Sequence, residues 1–214
     1  LALTAFDPAQ LAAALSGFAA MLDGRSAAAQ AFARIAASGP FGGPEDSPAR
    51  RAGAIALARR LGIPTLDEAP AAAFSWDGAV LRTGSEAWVV LHEIAHWLLS
   101  PDWRRNRRDF GLGAGPETGR KADADADRCL DEAALAAEEA EASLLGILLE
   151  VELAQPAIHA FLEQNWLEGW QRPSAAEYFA AVIDRLLAQG RIDGEGRPIL
   201  LVPGTLPSAG ARAA

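Results

Sequence analysis

Among 214 residues stand a single cysteine, a single methionine, a single tyrosine and three histidines. Cys129 has no partner for an internal disulfide, so packing must hold the fold, as expected in a reducing compartment. No apolar run approaches the roughly 20 residues that cross a bilayer. The start at Leu1 lacks the basic residues and cleavage site of a signal peptide. These absences together give the expectation of a cytoplasmic protein without membrane contact. Basic residues are outnumbered 19 to 28 and the net charge is −9, so general attraction to nucleic acid is excluded. What is present suits an ordinary globule. Half the residues are hydrophobic and 22% charged, enough for one sizeable domain or one domain with a helical appendage.

Two of the three histidines lie four residues apart, His92 and His96, with Glu93 directly after the first. On a helix, residues four apart share a face, so both imidazoles can reach one metal ion. Ala87, Val90, Leu91, Ile94, Ala95, Leu98 and Leu99 recur at spacings of three and four, and no Gly or Pro intervenes before Pro101. The run from Trp88 to Leu99 therefore reads as a helix carrying an HExxH motif. The plainer alternative is a buried helix whose histidines are hydrogen-bonded in the core. Two imidazoles and a carboxylate on so apolar a helix are costly unless something binds them. The reading is a metal site, with Glu93 as the candidate catalytic group.

The remaining chain divides around that helix. Asp7-Pro8 reads as a helix start, and Leu11, Leu15, Phe18 and Leu22 form its stripe before Gly24. A second helix covers Ser26 to Ala37, and a breaker-rich loop from Ser38 to Glu45 marks a boundary. Ser47-Pro48 starts a third helix running to about Leu61. Phe74 to Trp76 and Ala79 to Thr83 resemble two short strands around an Asp77-Gly78 turn. After the metal helix come Arg104, Arg105, Arg107 and Arg108, conspicuous in an acidic chain. They read either as a solvated face or as a basic rim able to hold an anionic partner. The glycines from Gly111 to Pro116 lack the strand and helix of a phosphate loop.

Lys121 to Glu152 reads as helix in one or two pieces, acidic first and apolar from Leu144 to Leu149. The Asp123-to-Asp127 alternation lacks the features of a calcium loop and reads as solvated surface. A break at Gln155-Pro156 precedes a helix with Ile158 and Phe161, in which His159 reads as structural. Trp166, Trp170 and Phe179 read as core or groove aromatics. Pro173 to Glu177 reads as a capping box opening a last helix to Gly190, and Ile199 to Val202 as a short strand. The expected fold is mainly α with a small antiparallel sheet (α+β), its zincin-like HExxH helix packed on the long acidic and apolar helix. Residues 1–66 form a helical layer or appendage, 67–190 the metal-site domain and 191–214 a tail.

Two histidines leave a metal short of protein ligands, and the long helix is the natural donor of a carboxylate. Glu138, Glu139 and Glu141 are the candidates.

The run from Leu91 to Trp97, the arginine stretch ending in Asp109-Phe110-Gly111, and Glu139 ahead of Leu144-Leu145 together resemble the bacterial elongation factor P hydroxylases. The resemblance covers roughly Ser75 to Pro156. It departs from the family over Leu112 to Gly119 and at Glu141 to Ser143. It implies that His92, His96 and Glu139 hold Fe(II) for dioxygen chemistry. The implied reaction hydroxylates a modified lysine of a protein substrate, elongation factor P, with docking expected near the four arginines. Glu93 would then handle a proton or orient water. The competing expectation is a zinc peptidase in which the same ligands hold Zn(II) and Glu93 is general base. A non-enzymatic module with a structural site is the third, and it fits least because structural sites are usually filled with Cys and His.

Overall fold

The structure, a computed structural model, describes residues 8–22, 26–39, 47–70, 74–114 and 121–200. The expected helix start at Asp7, the stop at Gly24, most of the loop to Glu45 and the residues after Leu200 lie outside the described residues. Eight helices and two very short strands are present among those described: α1 Pro8–Met21, α2 Ser26–Ala36, α3 Pro48–Arg60, β1 Thr65–Leu66, β2 Leu81–Arg82, α4 Ala87–Leu99, α5 Lys121–Asp127, α6 Glu132–Glu152, α7 Ile158–Glu163 and α8 Pro173–Ala188. The chain is thus mainly α with a minor sheet.

Helix starts follow local chemistry. Ser47 caps α3 by accepting a hydrogen bond from the Arg50 amide at 3.2 Å, with Pro48 in the first turn. Asp131 caps α6 by accepting from the Ala134 amide at 2.8 Å. That cap splits the acidic stretch into α5 and α6. The expected capping box of α8 does not form. Pro173 itself occupies the first helical turn and Arg172 the cap position, without a side-chain bond. A fixed φ and a missing N–H suit proline to that place, which moves Ser174 inside the helix.

The sheet is parallel rather than antiparallel: Thr65 pairs with Leu81 and Leu66 with Arg82. Of the expected hairpin, a single antiparallel bridge between Trp76 and Leu81 remains. Asp77 Oδ1 accepts from the amides of Ala79 and Val80, both at 3.0 Å, and closes the turn, across which Arg82 N still donates to Ser75 O at 2.9 Å. The chain beyond the turn then pairs with the residues after α3, Leu81 N donating to Pro64 O and Thr83 N to Leu66 O. At the C-terminal end, Ile192 bridges Pro198, and Ile199 and Leu200 form no strand.

One contiguous apolar cluster runs from α1 to α8. Phe18, Phe32, Phe161 and Phe179 join α1, α2, α7 and α8, with Phe18 and Phe32 rings 4.9 Å apart and Phe161 and Phe179 rings 5.9 Å apart. The centre of the fold is the contact of α4 with α6. There the Gly146 position allows backbone against backbone: a Cβ on it would lie 3.2 Å from His92 Cα. This approach brings α6 to the histidine helix.

Candidate metal centre

α4 presents His92 and His96 on one face, as their spacing requires. Their Nε2 atoms lie 3.0 Å apart. Glu139, on the facing surface of α6, places Oε2 3.6 Å from each. One ligand atom from each residue thus falls within 4.8 Å of the others. A metal about 2.0–2.1 Å from each donor sets the donors roughly 2.9–3.4 Å apart, depending on geometry. The three residues fit an ion with small adjustments. His96 is deeply buried, whereas the Glu139 side chain is 47% exposed, so the centre opens on the Glu139 side.

The other two candidate carboxylates, Glu138 and Glu141, are spoken for. Glu138 Oε1 lies 3.4 Å from His96 Nδ1, on the far side of the ring from the cluster. Glu141 accepts from Arg185 Nε at 2.6 Å and from Gln189 Nε2 at 2.9 Å, and so faces α8. At about 100° per residue, positions 138, 139 and 141 point in three directions. Only the packing angle of α6 on α4 decides which one meets the histidines. It is Glu139.

The arginine cluster is not a free basic rim. Arg104 is 3% exposed, its Nη2 donating to Ser100 Oγ at 2.8 Å and pairing with the Glu138 carboxylate. Arg105 donates to the Trp97 carbonyl at 2.9 Å and pairs with Asp102. Arg107 donates to the Asp127 carbonyl at 3.0 Å, and Arg108 pairs with the Asp127 side chain at 2.8 Å. Apart from Asp102, these partners belong to α4 and its cap, α5 and α6, so the stretch serves to fasten the segment after α4. Arg104 itself is buried and offers no surface to a partner, whereas Arg105 and Arg108 remain partly exposed.

That segment closes one side of the centre. Asp109, Phe110 and Gly111 take φ of 41°, 53° and 72°, a left-handed turn that costs of order 1–3 kcal/mol for each non-glycine residue. Trp76 holds it in place. Its indole Nε1 donates to the Arg105 carbonyl at 2.8 Å and its own carbonyl accepts from the Asp109 amide at 3.0 Å. Its ring stacks on Phe110 at 5.4 Å, and Phe110 in turn stacks on His96 at 5.7 Å. Gly111 is required here, because a Cβ would fall 2.5 Å from Cys129 Sγ.

The charges within the site are strongly coupled. Burial opposes charge on His96, but hydrogen bonds to Glu138 and Glu139 outweigh it and push its pKa up to about 10. Burial likewise opposes charge on Glu139, yet the two histidines hold its carboxyl well below the usual range. Glu93, hydrogen-bonded by Ser75, moves the other way. Burial raises its pKa, and the attraction of the histidines does not offset this. Asp109 is pushed up to about 7 by burial and by the nearby charges of Glu93 and Glu139. Asp109 is the group that sequence reasoning missed. It stood in the quoted Asp109-Phe110-Gly111 block, but nothing in its neighbours indicated that the turn would aim it at the site.

His92 and Glu139 also line a cleft of about 530 Å³, together with Gln164, Trp166, Glu168 and Tyr178. Trp166 stacks on Tyr178 at 5.8 Å and donates to Ser143 Oγ at 2.7 Å. Among the described residues no lysine or arginine lines the cleft. His159, on α7, takes no part in the cluster.

No protein-family model matches the chain, and neither a curated protein nor a solved structure shows significant similarity to it.

Proposed function

We propose that the chain is a non-haem iron hydroxylase acting on a modified, amine-bearing lysine of a protein substrate, elongation factor P being the substrate implied by the resemblance. One observation carries the reading: His92, His96 and Glu139 present three converging donor atoms beside a cleft free of basic residues among those described. A ferrous ion held by such a two-histidine, one-carboxylate set, with positions left open, supplies dioxygen activation. One oxygen atom would enter a C–H bond of the side chain and the other would leave as water, with two electrons from an external reductant and two protons from solvent.

The chain's own residues do the rest. Glu168 lines the cleft where no lysine or arginine does among the described residues, which suits a cationic side chain. The exposed Tyr178, stacked on the buried Trp166, brings an aromatic ring to the cleft that suits an ammonium group. Trp76 and Phe110 keep water from the His96 side. Glu93, whose pKa is raised by burial, stands beside the ligands as a group able to take up or return a proton.

A hydrolytic zinc centre is the second reading, favoured by Glu93 itself, since a carboxylate of raised pKa next to the ligands suits a general base. Against it, peptide substrates commonly align on a strand edge, and the strands described here are two residues each. The test is anaerobic loading with Fe(II), then oxygen uptake and a one-oxygen mass gain on lysine-modified elongation factor P in the presence of a reductant. Glu93→Gln should lower this turnover only in part. Stoichiometric native zinc with peptide cleavage abolished by Glu93→Gln would overturn the hydroxylase reading.

A further inference from the structure

We propose that Glu138 is a positioning residue that fixes the His96 imidazole for metal binding, and that Arg104 in turn fixes Glu138. The inference rests on the metal-centre reading above and extends it to residues that lie outside the ligand set.

His96 must offer Nε2 as a lone pair, which requires its ring proton on Nδ1. That nitrogen faces Glu138 Oε1 at 3.4 Å, and the Glu138 side chain is only 14% exposed. A carboxylate there accepts the Nδ1 proton, sets the ring's orientation and makes Nε2 a stronger donor. Glu138 is not left to choose its own rotamer. Arg104 Nη2 contacts both of its oxygens and also Ser100 Oγ at 2.8 Å. Ser100 caps the C-terminus of α4, and Arg104 lies in the loop that follows. The loop therefore turns back over the end of the histidine helix and carries a buried guanidinium to the carboxylate behind the second histidine. The arrangement joins three parts of the chain at one ring: α4 supplies His96, α6 supplies Glu138, and the connecting loop supplies Arg104.

A purely structural ion pair predicts something different. Removing it would lower the melting temperature and leave metal affinity alone. The experiment uses the full chain, with zinc affinity measured by competition with a chelator, metal-free melting by circular dichroism, and the histidine ring nitrogens of the zinc-loaded protein by NMR. The expected result is one zinc bound by the wild type and severe loss in the ligand variant Glu139→Gln. Glu138→Gln, which keeps the shape and removes the charge, should bind zinc about 10–100-fold more weakly while still melting cooperatively. Its His96 Nδ1 proton should exchange faster with water. Arg104→Lys retains the charge without the fork and should weaken binding less. In the double variant it should add nothing to Glu138→Gln, because both act through one ring.

Zinc affinity of Glu138→Gln within two-fold of wild type, with an unchanged Nδ1 proton, would overturn the proposal and leave the metal centre standing. A wild-type protein that binds no stoichiometric zinc would remove the metal centre and this inference with it. The wild-type titration separates the two failures.

Discussion

Gly146→Ala tests whether the approach of two helices sets the geometry of the metal centre. The added Cβ would stand 3.2 Å from His92 Cα and 3.3 Å from His92 N. Ordinary carbon contacts lie at about 3.5–4.0 Å, so α4 and α6 must part by a few tenths of an ångström. No flexible side chain can absorb the strain, because the atoms met are the backbone of a ligand residue. Replacing glycine inside a helix gains about 1 kcal/mol, and overpacking costs about 1–3 kcal/mol. Net destabilisation of the metal-free protein should therefore fall between about 0 and 2 kcal/mol. Metal affinity should suffer more distinctly. Glu139 precedes Gly146 by two helical turns and lies on the same face, so parting the helices lengthens its 3.6 Å separations from both histidines. Zinc affinity should fall about tenfold, equivalent to about 1.4 kcal/mol. Urea unfolding without metal and chelator competition with zinc measure the two effects separately. Gly53→Ala in α3, whose Cβ would meet Gln155 Nε2 at 3.5 Å, serves as a control with zinc binding unchanged. Should Gly146→Ala bind zinc as tightly as the wild type, the close approach is packing alone and the argument fails.

Two further predictions concern groups that are not ligands. Glu150, 6% exposed on α6, has Oε2 without a hydrogen-bond partner, and burial raises its pKa to about 8, helped by Glu163 and opposed by Arg50. The unfolded chain loses this proton near 4.5, so its contribution to stability is complete below that pH and is lost as pH rises towards 8. The slope is about 1.4 kcal/mol per pH unit at most. Glu150→Gln should therefore gain on the wild type between pH 5 and 8 in urea titrations, and a constant difference across that window would contradict the assignment. Phe110 is 1% exposed between the Trp76 and His96 rings. Phe110→Ala should cost about 3 kcal/mol or more, and a loss under about 1 kcal/mol by the same titration would show that the stack bears no weight.

Local patterns in the chain determined a good deal of this protein. The four-residue spacing of His92 and His96, in an apolar run free of helix breakers, was sufficient to specify α4 and the direction of both imidazoles, because helical periodicity depends only on the backbone. Ser47-Pro48 and the apolar positions of α8 were legible for the same reason. The resemblance singled out Glu139, and the geometry places that residue at the histidines, while spacing alone left three carboxylates open.

Tertiary structure decided the rest, since it turns on how one element is rotated against another. Which glutamate faces α4 depends on the packing angle at Gly146, a contact between residues far apart in the chain. The sheet is parallel because the strand after the Asp77 turn, which keeps one bridge back to Trp76, pairs along its length with the residues after α3. Arg104, Arg107 and Arg108 looked free because their partners, Glu138 and Asp127, come from other helices. Asp109 reached the site through a left-handed turn that Trp76 holds in place, and no local pattern encodes that strain. A helix can be read from its own residues. A site assembled from two helices and a strained loop cannot, because its geometry is set by contacts the chain makes only once folded.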